Sequence, residues 1–339
     1  MLTESIKKLV GREDLSREEA ERAMDSIMSG EATPAQIGGF LVAMRMKGET
    51  AEELAGFASV MRRRATPVRA PSGRPLVDTC GTGGDEKGTF NISTAAALVA
   101  AGAGSCVAKH GNRGVSSRSG SADVLAALGV KIDAPVGRVE ACLDRAGIGF
   151  LFAPALHGAM KCVAGPRREL GVRTVFNILG PLTNPAGARR QLLGVFDAAV
   201  AEKLARVLLL LGTERALVVA GEDGLDELTT TAPSRVTWVE PGRIRTDSLD
   251  AASLGLPRAR LQDLQVSGPE ESARAIRSVL AGERGPRRDI VVLNAAGAVI
   301  AAGLADTWTE AMRLAERSID SGAARSCLER LVETSSLPA

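Results

Sequence analysis

The chain has 339 residues, 45% hydrophobic and 24% charged, the balance of a globular protein with room for about two domains. A net charge of +2 and an aromatic share of 3%, with no Tyr, argue against a long polyanionic partner such as nucleic acid. Five scattered cysteines without a CxxC pair, and two histidines, exclude a thiolate or histidine metal centre and fit a reducing, cytoplasmic setting. No signal peptide is expected, and no apolar run is long enough to span a bilayer, so no membrane partner is expected.

The first region reads as helix. Ser16-Arg17-Glu18-Glu19, Thr33-Pro34-Ala35-Gln36 and Thr50-Ala51-Glu52-Glu53 each pair a hydroxyl N-cap with an acid or amide three residues on. Pro34 suits a first helical position, and Gly30 and Gly48 fall where helices stop. Ile37, Phe40, Leu41 and Met44 recur at helical spacing and read as core or subunit interface. The run Arg62 to Arg64 closes the region, and Pro67, Pro71 and Pro75 mark a linker.

From Leu76 short apolar runs alternate with glycine-rich turns and Ala-rich helices. Strands are expected over 76–80, 106–108, 216–219, 236–239 and 290–293, with helices over 93–103 and 122–128. Strands separated by helices imply a parallel sheet. Residues 167–191 turn irregular, either as a long loop or as chain that leaves the sheet for the helical part. Residues 307–332 read as an amphipathic helix pair packed on the sheet. The predicted class is α/β: a small all-helical domain plus a larger α/β domain with a mostly parallel central sheet.

Four segments carry chemistry. In the first, Asp78-Thr79-Cys80-Gly81-Thr82-Gly83-Gly84-Asp85 leads from a strand into Thr89-Phe90-Asn91-Ile92-Ser93-Thr94 at a helix start. Glycines let backbone N–H groups approach a ligand, and helix N-terminal amides add donors for phosphate. The spacing matches neither a nucleotide P-loop nor GxGxxG. The second segment, Lys109 to Ser121, combines cations, serines and glycines between another strand and helix, a second anion cradle. Loops at the C-terminal ends of neighbouring strands share a crevice. The third, Gly221 to Leu228, offers Asp226 and Glu227 just past a strand, oxygen donors that suit Mg²⁺ bridged to phosphates. In the fourth, the cations from Arg167 to Arg173 suit either a carboxylate ligand or a salt bridge with Glu169. A diphosphorylated sugar with Mg²⁺ fits this set; spacing does not give the acceptor.

These motifs, with Gly120-Ser121-Ala122-Asp123, Phe176 to Pro185, Gly224-Leu225-Asp226-Glu227 and Asn294-Ala295-Ala296, resemble the anthranilate phosphoribosyltransferase family of tryptophan biosynthesis. The likeness runs from the first helices to the last. It implies a homodimer joined through the helical domain and an active site at the hinge. The helical domain would comprise 1–71 with 167–190 returning to it, and the α/β domain 72–166 and 191–339. By resemblance, phosphoribosyl pyrophosphate would contact Gly81, Gly84, Asp85, Thr89, Asn91, Ser93, Thr94, Lys109, Gly111, Asn112, Arg113, Gly114, Val115, Ser116, Ser117 and Ser121. Anthranilate would meet Gly81, Asn112, Arg167 and His110. Ser93, Asp226 and Glu227 would hold Mg²⁺, with two ions per site, and no general base is implied. The chain departs from the family at Glu86, where Gly is frequent, at Gly158, at Gly165-Pro166 and at Ala220. A nucleoside phosphorylase and a non-catalytic nucleic-acid-binding relative share the fold class. The Asn91–Thr94 run and the Arg167–Pro185 block favour the anthranilate reading over the first; the retained site and near-neutral charge favour it over the second.

Overall fold

The computed structural model describes residues 2–71, 73–114 and 119–337. Four helices open the chain: Leu2–Val10, Arg17–Met28, Pro34–Lys47 and Ala51–Arg64. The last three begin on Ser16, Thr33 and Thr50, whose hydroxyls accept from the amides of Glu19, Gln36 and Glu53 while those side chains return to the cap's own N–H. Glu53 does more than cap. Fully buried, it accepts from Leu15 N at 2.9 Å, Thr50 N at 2.8 Å and Lys47 Nζ at 3.0 Å. One carboxylate thus ties three helices together, tolerated in the interior because donors surround it. Gly56 brings two of them into contact. A Cβ there would lie 2.8 Å from the Arg17 carbonyl and 3.0 Å from Ala20 Cβ.

Seven strands then form one sheet: β1 (Leu76–Asp78), β2 (Cys106–Gly111), β3 (Ile148–Phe152), β4 (Arg190–Gly194), β5 (Arg215–Gly221), β6 (Ser234–Glu240) and β7 (Arg243–Leu249). Their order is β3-β2-β1-β4-β5-β6-β7. Pairs among β1 to β5 are parallel, and β6 and β7 add an antiparallel edge. The protein is therefore a small helical part plus a larger α/β part with a mostly parallel sheet. Winding reverses between β1 and β4, so the connections after these strands leave in opposite directions and open a crevice at their C-terminal ends.

One expected strand is wrong. Residues 290–293 lie inside the helix Pro286–Ala302. Nearly all of that helix is buried, so it shows no polar face, and a short apolar run looks the same in either structure. Three strands carried no clear signal. β3 and β4 are five residues each, and β7 is a largely exposed, polar edge strand.

The helix Lys161–Leu170 packs on Pro34–Lys47 and Arg17–Met28, and Val175, Phe176, Leu179 and Leu182 join the core of the N-terminal helices. That core continues through the helix Ala198–Leu210 onto one sheet face, at Leu193, Val195, Ala216 and Val218. The alternate residues Leu192, Leu217 and Val219 face a second core with the helices Ile92–Gly102 and Pro286–Ala302. The C-terminal pair, Trp308–Asp320 and Ala323–Ser336, covers Ile92–Gly102.

Gly56→Val should lower the unfolding free energy by about 1–3 kcal/mol through overpacking. Urea denaturation measures this, and an unchanged midpoint would show that the two helices separate without cost.

Candidate active site

After β1 the chain enters the loop 79–88, where Gly83, Gly84, Glu86 and Gly88 all have positive φ. Glu86, at +56°, is one of two non-glycine residues with positive φ among the described residues. The loop is pinned at two points. Thr82 N donates to the Gly194 carbonyl at the end of β4 at 2.9 Å, and Gly83 N donates to Asp226 Oδ2 at 2.9 Å. The amides of Gly84, Asp85 and Glu86 donate to no acceptor among the described residues. Successive free amides in left-handed turns form an anion-binding concavity.

The helix Ile92–Gly102 starts just beyond, so its N-terminal amides border the same crevice. Ser93 N donates to Glu227 Oε1 at 3.1 Å. Lys109, buried on β2, reaches Thr79 O and Oγ1 at 3.3 Å and Ser93 Oγ at 3.4 Å. The glycine loop, Lys109 and the acid pair therefore converge on one crevice.

Two contacts fix the acid loop. Asn294, fully buried in its helix, donates to Leu228 O at 2.8 Å and accepts from Leu228 N at 3.0 Å. On the other side, a Cβ at Gly194 would fall 1.7 Å from the Asp226 carbonyl, so only glycine admits this approach. Burial raises the Asp226 carboxyl, and Asp85 beside it raises it further. Glu227 is raised by burial and then by Asp226, with Lys109 opposing. Asp226, with Asp85 and Glu227 as charged neighbours, and the Ser93 hydroxyl offer hard oxygen donors of the kind that Mg²⁺ takes.

Beyond β2, Asp123 gathers Arg113 Nη1 at 2.9 Å, Gly114 N at 2.9 Å and Gly120 N at 3.0 Å. Arg113 is thus paired within the loop. Ser121 Oγ donates to Asn112 O at 3.4 Å, and Gly111 packs so closely that a Cβ would collide with Ser121 and Phe150. Asn91 donates to Ser119 O at 3.1 Å, and its Oδ1 accepts from Ser119 Oγ and Ser272 Oγ. Thr89 bridges to Gln265, and the buried Thr94 hydroxyl has no partner among the described residues. Val115, Ser116 and Ser117 lie outside the described residues.

Behind the crevice is a buried polar joint. Asp78 accepts from His110 N at 3.1 Å and from Asn184 Nδ2 at 2.8 Å, and burial pushes its carboxyl up to about 6. The Gly180 carbonyl lies 3.1 Å from His110 Nδ1, which assigns that nitrogen as the donor. His110 Nε2 is then the acceptor facing His157 Nε2 at 3.2 Å. Arg167 sits over the Phe176 ring at 5.3 Å, and its guanidinium has no acceptor among the described residues. Ser272 was not singled out in the sequence, and Asp78, Arg173 and Asn294 appeared there only as parts of longer motifs. A lone Asn inside an apolar run is the signal that points to Asn294.

Residues 73–325 match the family model described as glycosyl transferase family, a/b domain, and residues 3–65 match its helical bundle domain. The anthranilate phosphoribosyltransferase of Moorella thermoacetica is 58% identical over 98% of either chain, and that of Anaeromyxobacter dehalogenans 55% identical over 100% of either. The chain belongs to the anthranilate phosphoribosyltransferase family. Among solved structures, the Thermus thermophilus anthranilate phosphoribosyltransferase has a TM-score of 0.93 at 47% identity, over 98% of this chain and 99% of that one. The Saccharomyces cerevisiae enzyme, in complex with PRPP and Mg, has a TM-score of 0.90 at 30% identity, over 99% and 98%.

Burial lowers His110 to about 3 and His157 to about 4, so both rings stay neutral in the folded chain while the unfolded chain protonates them below about 6.5. The unfolded state then binds more protons, and stability falls as pH drops from about 6.5 toward 4. The His110→Gln/His157→Gln variant should show a shallower loss of urea midpoint between those pH values; an unaltered slope would place the acid sensitivity elsewhere.

Proposed function

We propose that the chain transfers the 5-phosphoribosyl group from phosphoribosyl pyrophosphate to the amine of anthranilate, giving N-(5-phosphoribosyl)anthranilate and pyrophosphate in tryptophan biosynthesis. The observation that carries the reading is the convergence of free loop amides, Lys109 and the Asp226–Glu227 pair on the crevice between β1 and β4. Family membership supplies the acceptor.

The sugar pyrophosphate is assigned to Gly81, Gly84, Asp85, Thr89, Asn91, Ser93, Thr94 and Lys109, with the 111–117 loop and Ser121 around it. Anthranilate is assigned to Gly81, Asn112 and Arg167, with His110 beside them. The unpaired guanidinium of Arg167 supports that role, since a planar fork matches a carboxylate. Ser93, Asp226 and Glu227 would hold Mg²⁺, which when bound would offset the negative charge of the pyrophosphate. Three carboxylates and a pyrophosphate exceed the charge of one divalent ion, which favours two.

Loop and helix amides then stabilise the pyrophosphate as the C1–O bond breaks toward an oxocarbenium-like ribosyl centre. The neutral anthranilate amine attacks that carbon through its lone pair, and the proton then lost from its nitrogen is taken by the departing pyrophosphate or by solvent. No side chain is assigned as general base. The rate comes from positioning and electrostatics.

The domain division is read as 1–71 with 167–190, and 72–166 with 191–339. A homodimer through the helical part is supported by Val42 and Met46, exposed on one helix, and by exposed Val10. No helix of the described residues is long and apolar enough to cross a membrane. All five cysteines are free, which supports a reducing cytoplasm.

Arg167→Ala should raise KM for anthranilate about tenfold or more, with KM for the sugar pyrophosphate little changed. Equal effects on both substrates would reject this assignment. Asp226→Asn/Glu227→Gln should shift the magnesium dependence of turnover to higher concentration, and an unmoved titration would remove these residues from the metal site. Product fluorescence from the two substrates and Mg²⁺ tests the activity itself; turnover of a nucleoside and phosphate instead would favour the phosphorylase reading.

A further inference from the structure

We propose that Arg173 is a positioning residue that fixes the glycine loop from across the crevice, aiming its amides at the leaving group. The proposal rests on the reading of 79–88 as the pyrophosphate cradle. Arg173 lies between the helices Lys161–Leu170 and Phe176–Leu179, next to Val175 and Phe176, which are anchored in the core of the N-terminal helices. Its guanidinium leaves that segment and lies over the Phe196 ring, 5.1 Å from the centroid. Nη2 donates to the Gly84 carbonyl at 3.2 Å, and Glu86 Oε1 is 3.5 Å away. The fit is close. A Cβ on Gly84 would come within 3.0 Å of Nη2 and 3.3 Å of Cζ, at a φ of +87° that already favours glycine.

The consequence is directional. The C=O and N–H of a trans peptide point in opposite directions, and the described residues contain no cis bond. Turning the Gly84 carbonyl to Arg173 therefore turns the Asp85 N–H away from it. That amide and those of Gly84 and Glu86 have no acceptor among the described residues, while Gly83 N is held by Asp226. Glycines at positive φ have no side chains to hold such an arrangement, and without an external tie the ordering cost falls on ligand binding.

Glu86 adds a second arm. It stands beside a site for an anion, and pairing with Arg173 holds its carboxylate outward. The two side chains are 43% and 70% exposed, so this ion pair contributes little by itself. The carbonyl hydrogen bond and the ring contact do most of the holding.

The test compares Arg173→Ala, Arg173→Gln and Glu86→Gln with the wild type in steady-state kinetics, melting, and direct titration with pyrophosphate and Mg²⁺. Arg173→Ala should raise KM for phosphoribosyl pyrophosphate and the Kd for pyrophosphate about tenfold, the effect of one charge-assisted hydrogen bond. KM for anthranilate and the melting temperature should hold. Gln, which donates an N–H without charge, should recover part of the loss, and Glu86→Gln should leave pyrophosphate binding equal or tighter. The role is overturned if both KM values rise together, if the melting temperature falls with them, or if Gln is as impaired as Ala. The titration separates this from the activity assignment: weaker pyrophosphate binding in Arg173→Ala supports the role whichever acceptor the wild type uses. A wild type that binds no pyrophosphate overturns both.

Discussion

At the end of β4, Gly194 allows three stretches of backbone to meet where any side chain would keep them apart. Its carbonyl takes the amide of Thr82, and its Cα faces the Asp226 carbonyl with no room for a Cβ. Asp226 in turn accepts from Gly83. This contact sets the glycine turn against the acid pair, with Ser93 and Lys109 completing the ring. Strand order makes the meeting possible, because β1 and β4 are neighbours at the point where winding reverses. The crevice is a product of topology, and its close fit is a product of one missing side chain.

The back of the site is held by a different chemistry. Asp78 would be expensive as a lone buried carboxylate, and its burial is reflected in a raised carboxyl. It is tolerated because His110 N and Asn184 Nδ2 satisfy it, and Asn184 also donates to Ala108 O at 2.8 Å. The same joint ties the segment 180–184 to β1 and β2, and through Leu182 to the helical core. Apolar packing alone would specify that geometry less sharply.

Local chemistry was legible in the sequence. The caps at Ser16, Thr33 and Thr50, and the glycine turn running into Asn91 and Ser93, depend on neighbours within a few residues, so their patterns announce them. Residues 290–293 failed because burial on every side erases the period that separates helix from strand. The short β3 and β4 failed because pairing with neighbouring strands creates them. The long-range contacts of the positioning residues were hidden for a related reason. Asn294 acts on Leu228, and Ser272 acts on Asn91, across 66 and 181 residues. Nothing in either segment alone specifies its partner.

The arrangement of charge explains how a nearly neutral chain can bind a strongly anionic substrate. Arg113 is paired with Asp123, and Lys109 rests on the oxygens of Thr79 and Ser93 beneath the loop. Beside Lys109, what faces a pyrophosphate is chiefly peptide N–H, in the loop and at a helix start, together with the cation the acids would hold. Backbone dipoles carry no net charge, so they add nothing to the total of +2, yet they are fixed in place before the ligand arrives. Donors of this kind suit a leaving group whose charge grows during bond cleavage, because they need not reorganise as it forms. The acid pair works in the same direction: burial first, and then neighbouring carboxylates, raise the Asp226 and Glu227 carboxyl groups, and a divalent ion arriving with the substrate would relieve that repulsion.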